Sequence, residues 1–326
     1  MKVKYLGNFK NRLPIINIVY PKFDYIEKYF DIRKQELDQL IQNNKLKNEI
    51  YIVEHKASLH TPNTIVNNAK FKTDKHIYLN EGYLEFLWEF TYGIVITWHE
   101  LIRKPTENRI IPTADYFERN LVSLQLLNTA NEHLKLALSY FDTNIVLNPS
   151  LTNPTCAKTD FESEYLNSAD SVFCFALCYT LLHEIAHCKF NHIDIMNNNR
   201  NKSQKERDMI QIKLEEEADK YARESTTLDG TDLNFTKAIG AIIGASATIY
   251  YQNTTHRDDH PNSAKRIQEV LERFSGPNSE LFGIGLIVLG FWDEKFGINC
   301  LDLIDNNKTY EDSFYEYLKN FAMVSS

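Results

Sequence analysis

The spacing of apolar residues changes character near residue 80. Before that point it mixes types: FDYIEKYFDIRKQELDQLIQNN has helical spacing, whereas EIYIVEH and TIVNNAKFKTDKHIYL predict short strands broken by Asn and Asp. From Glu81 onward nearly every segment has helical spacing. The pattern predicts a mainly α protein with a small N-terminal β element, of the α+β class. We expect an α/β region over residues 1–80, suited to recognising a partner or substrate, and a helical domain over residues 81–326.

Short polar or proline-containing segments mark the predicted ends of the later helices. YLEFLWEFTYGIVITWHELI is followed by a predicted break at Lys104-Pro105, and a loop rich in Asn, Pro and Thr precedes a helix expected to begin near Ser168 to Asp170. The polar run IDIMNNNRNKSQK predicts a solvated loop, after which helical spacing resumes. Five further helices are predicted, in KERDMIQIKLEEEADKYARES, KAIGAIIGASATIYY, PNSAKRIQEVLERF, ELFGIGLIVLGFW and YEDSFYEYLKNF.

Composition and charge narrow the class of protein. The chain has 326 residues, 43% of them hydrophobic, which is enough to bury a substantial core. The formal net charge is -8, and no Lys/Arg-rich block exceeds the short RNKSQKER segment, so no nucleic-acid partner is expected. The five cysteines show no even framework of spacings, which indicates reduced thiols and a cytoplasmic location.

Two apolar runs raise the question of a membrane span. VFCFALCYTLLHEIAHCKF contains His183, Glu184 and His187, and AIGAIIGASATIYY is shorter than the roughly 20 apolar residues that a bilayer span requires. Near the N-terminus, LPIINIVY is short and lacks a small-residue cleavage site, so no signal peptide is expected. Both longer runs predict buried helices, and no membrane span is expected.

The segment LLHEIAHCKFNH, from Leu181 to His192, carries the strongest chemical signal. On a helix, His183 and His187 project to the same side, with the spacing needed for two imidazole ligands to one zinc ion. Glu184 is offset around the helix, where it can accept a proton from a water that attacks a carbonyl. This is the H-E-x-x-H pattern of zinc peptidases. The alternative is a pair of core histidines bonded to backbone carbonyls; the apolar flanks favour a metal, because buried polar groups need partners.

His192 is the nearest candidate for a third ligand, and we do not expect it to bind. The pattern that supplies a third histidine from a glycine turn needs Gly at position 190 and His at position 193, where this chain has Phe190 and Ile193. We expect His192 to cap the helix or to face its C-terminal end, where a cation is favoured.

The segment LEEEADKYA offers a better source. Glu215 and Asp219 lie on one helix face, so Glu215 can bind the metal while Asp219 accepts the outer N–H of a ligating histidine and fixes its tautomer. Glu216 and Glu217 are expected to be surface charges, although they remain alternatives to Glu215. Two antiparallel helices would bring these groups together and leave the fourth zinc position open.

His260, in DDHPNSAKRI, is a further candidate. With Arg266 following it on a predicted helix, His260 could donate a hydrogen bond to an oxyanion during peptide hydrolysis. A surface histidine beside a helix-starting proline fits the spacing equally well.

Taken in order, HEIAHCKFNH, LEEEADKYA and HPNSAKRI resemble the motifs of the Lit-type phage-exclusion peptidases, whose pattern is HExxHxxxxH, then E-x-E-A-D, then HPxxxxRI. YLEFLWEF is similar to a segment ahead of the catalytic helix in that family, and the likeness runs from about residue 83 to residue 267. The resemblance implies a zincin-like helical core. His183 and His187 match the metal histidines, Glu184 the catalytic acid and Glu215 the glutamate of the downstream motif.

The resemblance also implies a function. It points to a cytosolic zinc endopeptidase of defence origin, with Zn2+ as cofactor and a host protein as substrate. In the family's founding member a phage capsid peptide switches on cleavage of elongation factor Tu, so we expect a phage-derived activator and elongation factor Tu as a candidate substrate. A repressor-cleaving peptidase and a non-catalytic, zinc-stabilised protein-binding module are the alternatives. The loop from Asn197 to Lys205, between the ligand helices, is a candidate lid.

Overall fold

The structure is a computed structural model that describes residues 2–6, 15–31, 33–53, 70–109, 118–139, 160–226, 235–247, 249, 262–276, 279–296 and 308–324. It is mainly helical with a small sheet near the N-terminus, which confirms the predicted class. The strands are β1 (Lys2–Leu6), β2 (Glu49–Val53), β3 (Lys70–Phe71) and β4 (Ile77–Asn80). The helices are α1 (Ile15–Asp31), α2 (Lys34–Gln42), α3 (Glu81–Trp98), α4 (Lys104–Asn108), α5 (Leu121–Ser139), α6 (Asp160–Lys189), α7 (His192–Asn198), α8 (Gln204–Thr226), α9 (Phe235–Ser246), α10 (Ser263–Phe274), α11 (Glu280–Phe296) and α12 (Tyr310–Val324).

The sheet has the strand order β1-β2-β4-β3, in which β2 pairs in parallel with both β1 and β4, and β3 pairs with β4 antiparallel. Successive residues alternate between the two faces, so Ile50 and Ile52 of β2 and Ile77 and Leu79 of β4 are buried against the helices. β1 was not predicted, although its sequence alternates and buries Tyr5 in the same layer. The predicted domain boundary coincides with the junction of β4 and α3, and a division into two domains stays a prediction.

α3 follows β4 without a loop. The Asn80 side chain caps the helix by accepting a hydrogen bond from the backbone N–H of Gly82 at 2.8 Å. Every residue of α3 is buried, because the helix packs against both α5 and α6. α3 is therefore an internal helix that lies against α6.

The predicted break at Lys104-Pro105 is wrong. The helical path continues from α3 through a π-helical turn over His99–Arg103 into α4, and it ends at Arg109, whose φ of 54° is left-handed. Pro105 stands in the first turn of α4, where a missing backbone N–H does little harm. A proline at a helix start and a proline that ends a helix have the same sequence signature here.

α6 is the central helix of the protein and packs against α3, α8 and α9. Its approach to α9 is close at Gly240, where an added Cβ would lie 2.5 Å from Phe175 Cβ and 2.9 Å from the backbone nitrogen of Ala176. Its segment Glu164–Lys189 is, among the described residues, the one helix long and apolar enough to cross a membrane. The most apolar window of that segment is 89% buried inside the protein, as in the core helix of a globular fold.

Two predicted boundaries around α6 also need correction. The helix begins at Asp160 rather than near Ser168 to Asp170. Ser168, which was expected to cap it, lies inside the helix, and its Oγ donates to the Glu164 carbonyl at 3.5 Å. The run IDIMNNNRNKSQK is not a loop throughout, since His192–Asn198 forms α7. Only a short turn, over 199–203, then separates α7 from α8.

Candidate metal site

Two long helices supply the predicted ligands. His183 and His187 are one turn apart on α6, and Glu215 lies on α8. Between them the chain reverses at Asn191, whose φ of 56° is left-handed, a conformation that Asn adopts more readily than most residues. α7 and the turn after it then lead into α8, which returns along α6 and brings Glu215 opposite the two histidines.

The three side chains converge on one point. His183 Nε2 lies 3.1 Å from Glu215 Oε2 and 3.0 Å from His187 Nε2, and His187 Nε2 lies 3.7 Å from Glu215 Oε1. One possible ligand atom from each residue lies within 4.8 Å of the other two. Separations of roughly 3 to 4 Å are those of ligands around a tetrahedral zinc ion with bonds of about 2.0–2.2 Å.

The outer ring nitrogens determine what the inner ones can do. His183 Nδ1 is 2.9 Å from Asp219 Oδ1, and His187 Nδ1 is 2.9 Å from His192 Nδ1. With both Nδ1 atoms protonated, the two Nε2 atoms present lone pairs to each other and to the Glu215 carboxylate. Three acceptors that face one another require a cation between them. The donor set of two imidazoles and one carboxylate is one that catalytic zinc sites use, so the residues fit the ion.

Asp219 lies behind His183, at the position predicted for it. Its Oδ1 accepts from His183 Nδ1 and also from Arg266 Nη2, at 2.6 Å, and both Asp219 and Arg266 are buried. No contact between Arg266 and Asp219 was predicted from the sequence. The available signal was its place in the HPNSAKRI motif, which shows that the residue matters but not what it touches.

His192 does not cap the end of α6; of the two positions predicted for it, it takes the other, beside the last turn of that helix at His187. It is the first residue of α7, only 2% exposed, and its ring stands between His187 and Glu217, with Nε2 3.1 Å from Glu217 Oε2. Burial and the neighbouring His187 lower the pKa of His192, which keeps the ring neutral. A neutral His192 donates from Nε2 to Glu217 and accepts at Nδ1 from His187. Glu217 is therefore more than the surface charge that was predicted.

The charges of the site compensate one another. Burial alone would lower the pKa of His183, but hydrogen bonds to Asp219 and Glu215 raise it to about 10. Burial alone would raise the pKa of Glu215, but hydrogen bonds from His183 and His187 hold it well below its ordinary value. Without a metal, a proton on His183 Nε2 therefore stands where a cation would, and it is shared with Glu215.

Glu184 is buried on α6, 7% exposed, in the turn between the two histidines. Tyr83 of α3 lies nearby, and its hydroxyl is 2.9 Å from Thr180 Oγ1, one turn before Glu184. Burial raises the pKa of Tyr83 to about 12, and the charge of Glu184 adds to the increase. The phenol therefore stays protonated beside the carboxylate.

The remaining predicted residues fall elsewhere. Glu216 is a surface charge as predicted, paired with Lys265 at 3.2 Å. His260 lies outside the described residues, so its role at an oxyanion stays a prediction. In the part of the chain that the structure describes, the group of His183, His187 and Glu215 is the one cluster of three potential metal ligands.

Comparison with known proteins identifies the family of the chain. A family model described as Peptidase U49 matches residues 77–286, a range that contains every residue of the site. Neither the curated proteins nor the solved structures compared with the chain gave a match. Because the family model covers well over half of the chain, the chain belongs to the peptidase U49 family, the family of the Lit-type peptidases.

Proposed function

We propose that the protein is a zinc-dependent endopeptidase of the phage-exclusion type. The observation that carries the proposal is the convergence of His183 Nε2, His187 Nε2 and Glu215 on one point, with Glu184 on the same helix turn. Membership of a peptidase family supports the reaction class. Three protein ligands converge among the described residues, which favours a catalytic over a structural role, because structural zinc sites are usually closed by a fourth protein ligand.

The residues divide the work of peptide hydrolysis between them. His183, His187 and Glu215 would hold the ion, and the groups on the outer nitrogens keep each imidazole in the tautomer that presents Nε2. Zinc, when bound, supplies a Lewis acid that polarises the scissile carbonyl and acidifies the attacking water. Glu184 accepts a proton from that water and delivers it to the nitrogen of the leaving amine.

The burial of Glu184 suits this proton transfer. A carboxylate shielded from bulk water exchanges its proton with the substrate rather than with solvent, and its charge helps to keep the Tyr83 hydroxyl protonated by raising the pKa of that group. Outside the described residues, His260 is proposed to donate to the oxyanion of the tetrahedral intermediate.

The proposed setting is the bacterial cytoplasm, where a phage component activates the enzyme and a host protein is cut. Elongation factor Tu is the proposed substrate. Both proposals rest on the likeness of HEIAHCKFNH, LEEEADKYA and HPNSAKRI to the Lit-type motifs.

The test compares the wild type with Glu184→Gln, a variant that keeps the shape of the side chain and loses its basicity. Each is expressed in a bacterial host, with and without phage infection, and new protein N-termini are identified by mass spectrometry. A cut in elongation factor Tu that appears with the wild type alone supports the proposal. If the wild type cuts only a repressor, a repressor replaces elongation factor Tu as the proposed substrate. An absence of new N-termini in infected and uninfected cells, with zinc bound, would identify a binding module.

A further inference from the structure

The Asp219 carboxylate serves two donors with a single oxygen. His183 Nδ1 lies 2.9 Å and Arg266 Nη2 lies 2.6 Å from the same Oδ1, and the side chains of Asp219 and Arg266 are 2% and 9% exposed. The histidine comes from α6, the aspartate from α8 and the arginine from α10. Three helices therefore meet at one oxygen atom, directly behind a proposed metal ligand.

Arg266 supplies Asp219 with a positive charge that a metal-bound His183 cannot supply. When His183 Nε2 binds a cation, the imidazole is neutral, and a buried carboxylate facing a neutral ring lacks a compensating charge. A guanidinium stays charged under all physiological conditions and donates from a fixed planar arrangement. Arg266 thus keeps Asp219 ionised. It also holds the Asp219 Oδ1 towards His183, because the backbone of α8 alone does not fix the rotamer of that side chain.

Other ion pairs join the same two helices without reaching the site. Arg223 of α8 pairs with Glu269 of α10 at 2.7 Å, and Lys265 of α10 pairs with Glu216 of α8 at 3.2 Å. If ion pairs in this interface served only to attach α10, Arg223 and Arg266 would be equivalent. The contact of Arg266 with a residue that bonds a proposed ligand sets it apart, and Arg223 provides a matched control.

We propose that Arg266 is a positioning residue for the metal site: through Asp219 it fixes the orientation and tautomer of His183. The inference rests on the proposed zinc site. It goes beyond that site by assigning a role in metal affinity to a residue of α10 that donates to Asp219, behind the proposed ligand His183. Loss of the Arg266 charge should therefore weaken zinc binding as strongly as loss of the Asp219 charge.

The experiment measures zinc affinity by competition with a chromogenic chelator, for the full chain at one pH. Arg266→Met and Asp219→Asn are each expected to weaken binding by about 10- to 100-fold, the usual range for residues that orient a ligand. The double variant should be no weaker than either single one, because both remove the same support. Arg223→Met should bind zinc within about twofold of the wild type. The cobalt-substituted Arg266→Met protein should show a shifted visible absorption spectrum.

Arg266→Lys covers the case in which the methionine variant does not fold. It keeps the buried positive charge and one donor, so it should retain zinc affinity within severalfold of the wild type. Wild-type affinity in Arg266→Met, additive losses in the double variant, or an equal loss in Arg223→Met would each overturn the inference. A Lys variant as weak as Asp219→Asn would overturn it too. A wild type that binds no zinc would instead refute the proposed function, so the two failures are distinguishable.

Discussion

His192 Nδ1 lies 2.9 Å from His187 Nδ1, on the side of the His187 ring opposite the Nε2 that faces His183. This arrangement makes His192 a partner of a proposed ligand rather than a ligand. His187 is thereby supported by His192 and Glu217, as His183 is supported by Asp219 and Arg266. Each imidazole of the site is held from behind by a pair of polar side chains.

Replacement of His192 should weaken the site without destroying it. In His192→Phe the His187 Nδ1 proton loses its acceptor, so zinc affinity is expected to fall by about 10- to 100-fold while stoichiometry stays at one ion per chain. Glu217→Gln should have a smaller effect, because Glu217 is half exposed and water can replace it. Competition titrations with a zinc chelator measure both. Unchanged affinity would contradict the support role, and a complete loss of zinc would make His192 a ligand.

Zinc binding should release a proton. The pKa of His183 is raised to about 10 in the metal-free protein, so at pH 7 the ring is protonated and must become neutral to bind. Zinc affinity should therefore rise with pH, by up to about tenfold per unit, until the pH approaches 10. Isothermal titration in buffers of different ionisation enthalpy counts the protons. Asp219→Asn should bring the midpoint of this dependence to lower pH. Zinc binding at pH 7 with no proton release from the wild type would contradict the assignment.

The raised pKa of His183 also determines how the stability of the metal-free protein changes with pH. A folded-state pKa above the unfolded value means that metal-free His183 stabilises the fold fully below about pH 6.5, and that this contribution is lost as the pH rises towards 10. Denaturation of the metal-free protein at pH 6 and at pH 9.5 measures it. The free-energy difference should shrink in His183→Gln.

Glu100 should stabilise the protein at neutral pH and cease to do so in acid. It is 1% exposed in the π-helical turn, and although burial would raise its pKa, hydrogen bonds from neighbours that include Tyr165 and Lys104 lower it to about 2. The contribution is present above about pH 4.5 and is lost as the pH falls to about 2; by linkage it amounts to roughly 3 kcal/mol.

Urea denaturation of Glu100→Gln at pH 7, 4 and 2.5 tests this expectation. The difference from the wild type should be largest at pH 7 and smallest at pH 2.5. Glu107→Gln is the control, since Glu107 is an exposed partner of Arg103 and its loss should change little at any pH. A difference that grows in acid would contradict the assignment.

The contact between α6 and α9 should not tolerate a methyl group. In Gly240→Ala the new Cβ would meet Phe175 Cβ and two backbone atoms of α6 at 2.5–2.9 Å, so the free energy of unfolding should fall by about 1–3 kcal/mol or more. Because α6 carries the proposed ligands, zinc affinity should fall as well. Gly276→Ala is the control, since nothing lies within 4 Å of its added Cβ. Equal stability of the two variants by thermal denaturation would refute the packing argument.

Helical spacing was sufficient to predict the first contacts of the site. Residues four apart on one helix share a face whatever the rest of the fold does, so His183 with His187, and Glu215 with Asp219, could be paired from the sequence. Their meeting needed only that α6 and α8 pack together. The same geometry favoured Glu215 over Glu216 and Glu217, which remained alternatives.

The supporting residues could not be predicted from spacing. The contact of Arg266 with Asp219 depends on how α10 packs against α8, and that of His192 with His187 depends on the left-handed turn at Asn191. α7 was missed because IDIMNNN has no apolar face long enough to indicate a helix. β1 was missed because a five-residue strand gains its stability from pairing with β2 rather than from its own sequence.

X-ray absorption spectroscopy of the purified, zinc-loaded protein tests the central claim most directly. The account predicts one zinc ion per chain with two imidazoles and only oxygen as the other ligands, at about 2.0–2.2 Å, together with the loss of one oxygen ligand or of zinc itself in Glu215→Ala. A spectrum with three imidazoles, with sulfur, or unchanged in Glu215→Ala would contradict the assignment of the site, as would a wild-type protein that binds no zinc.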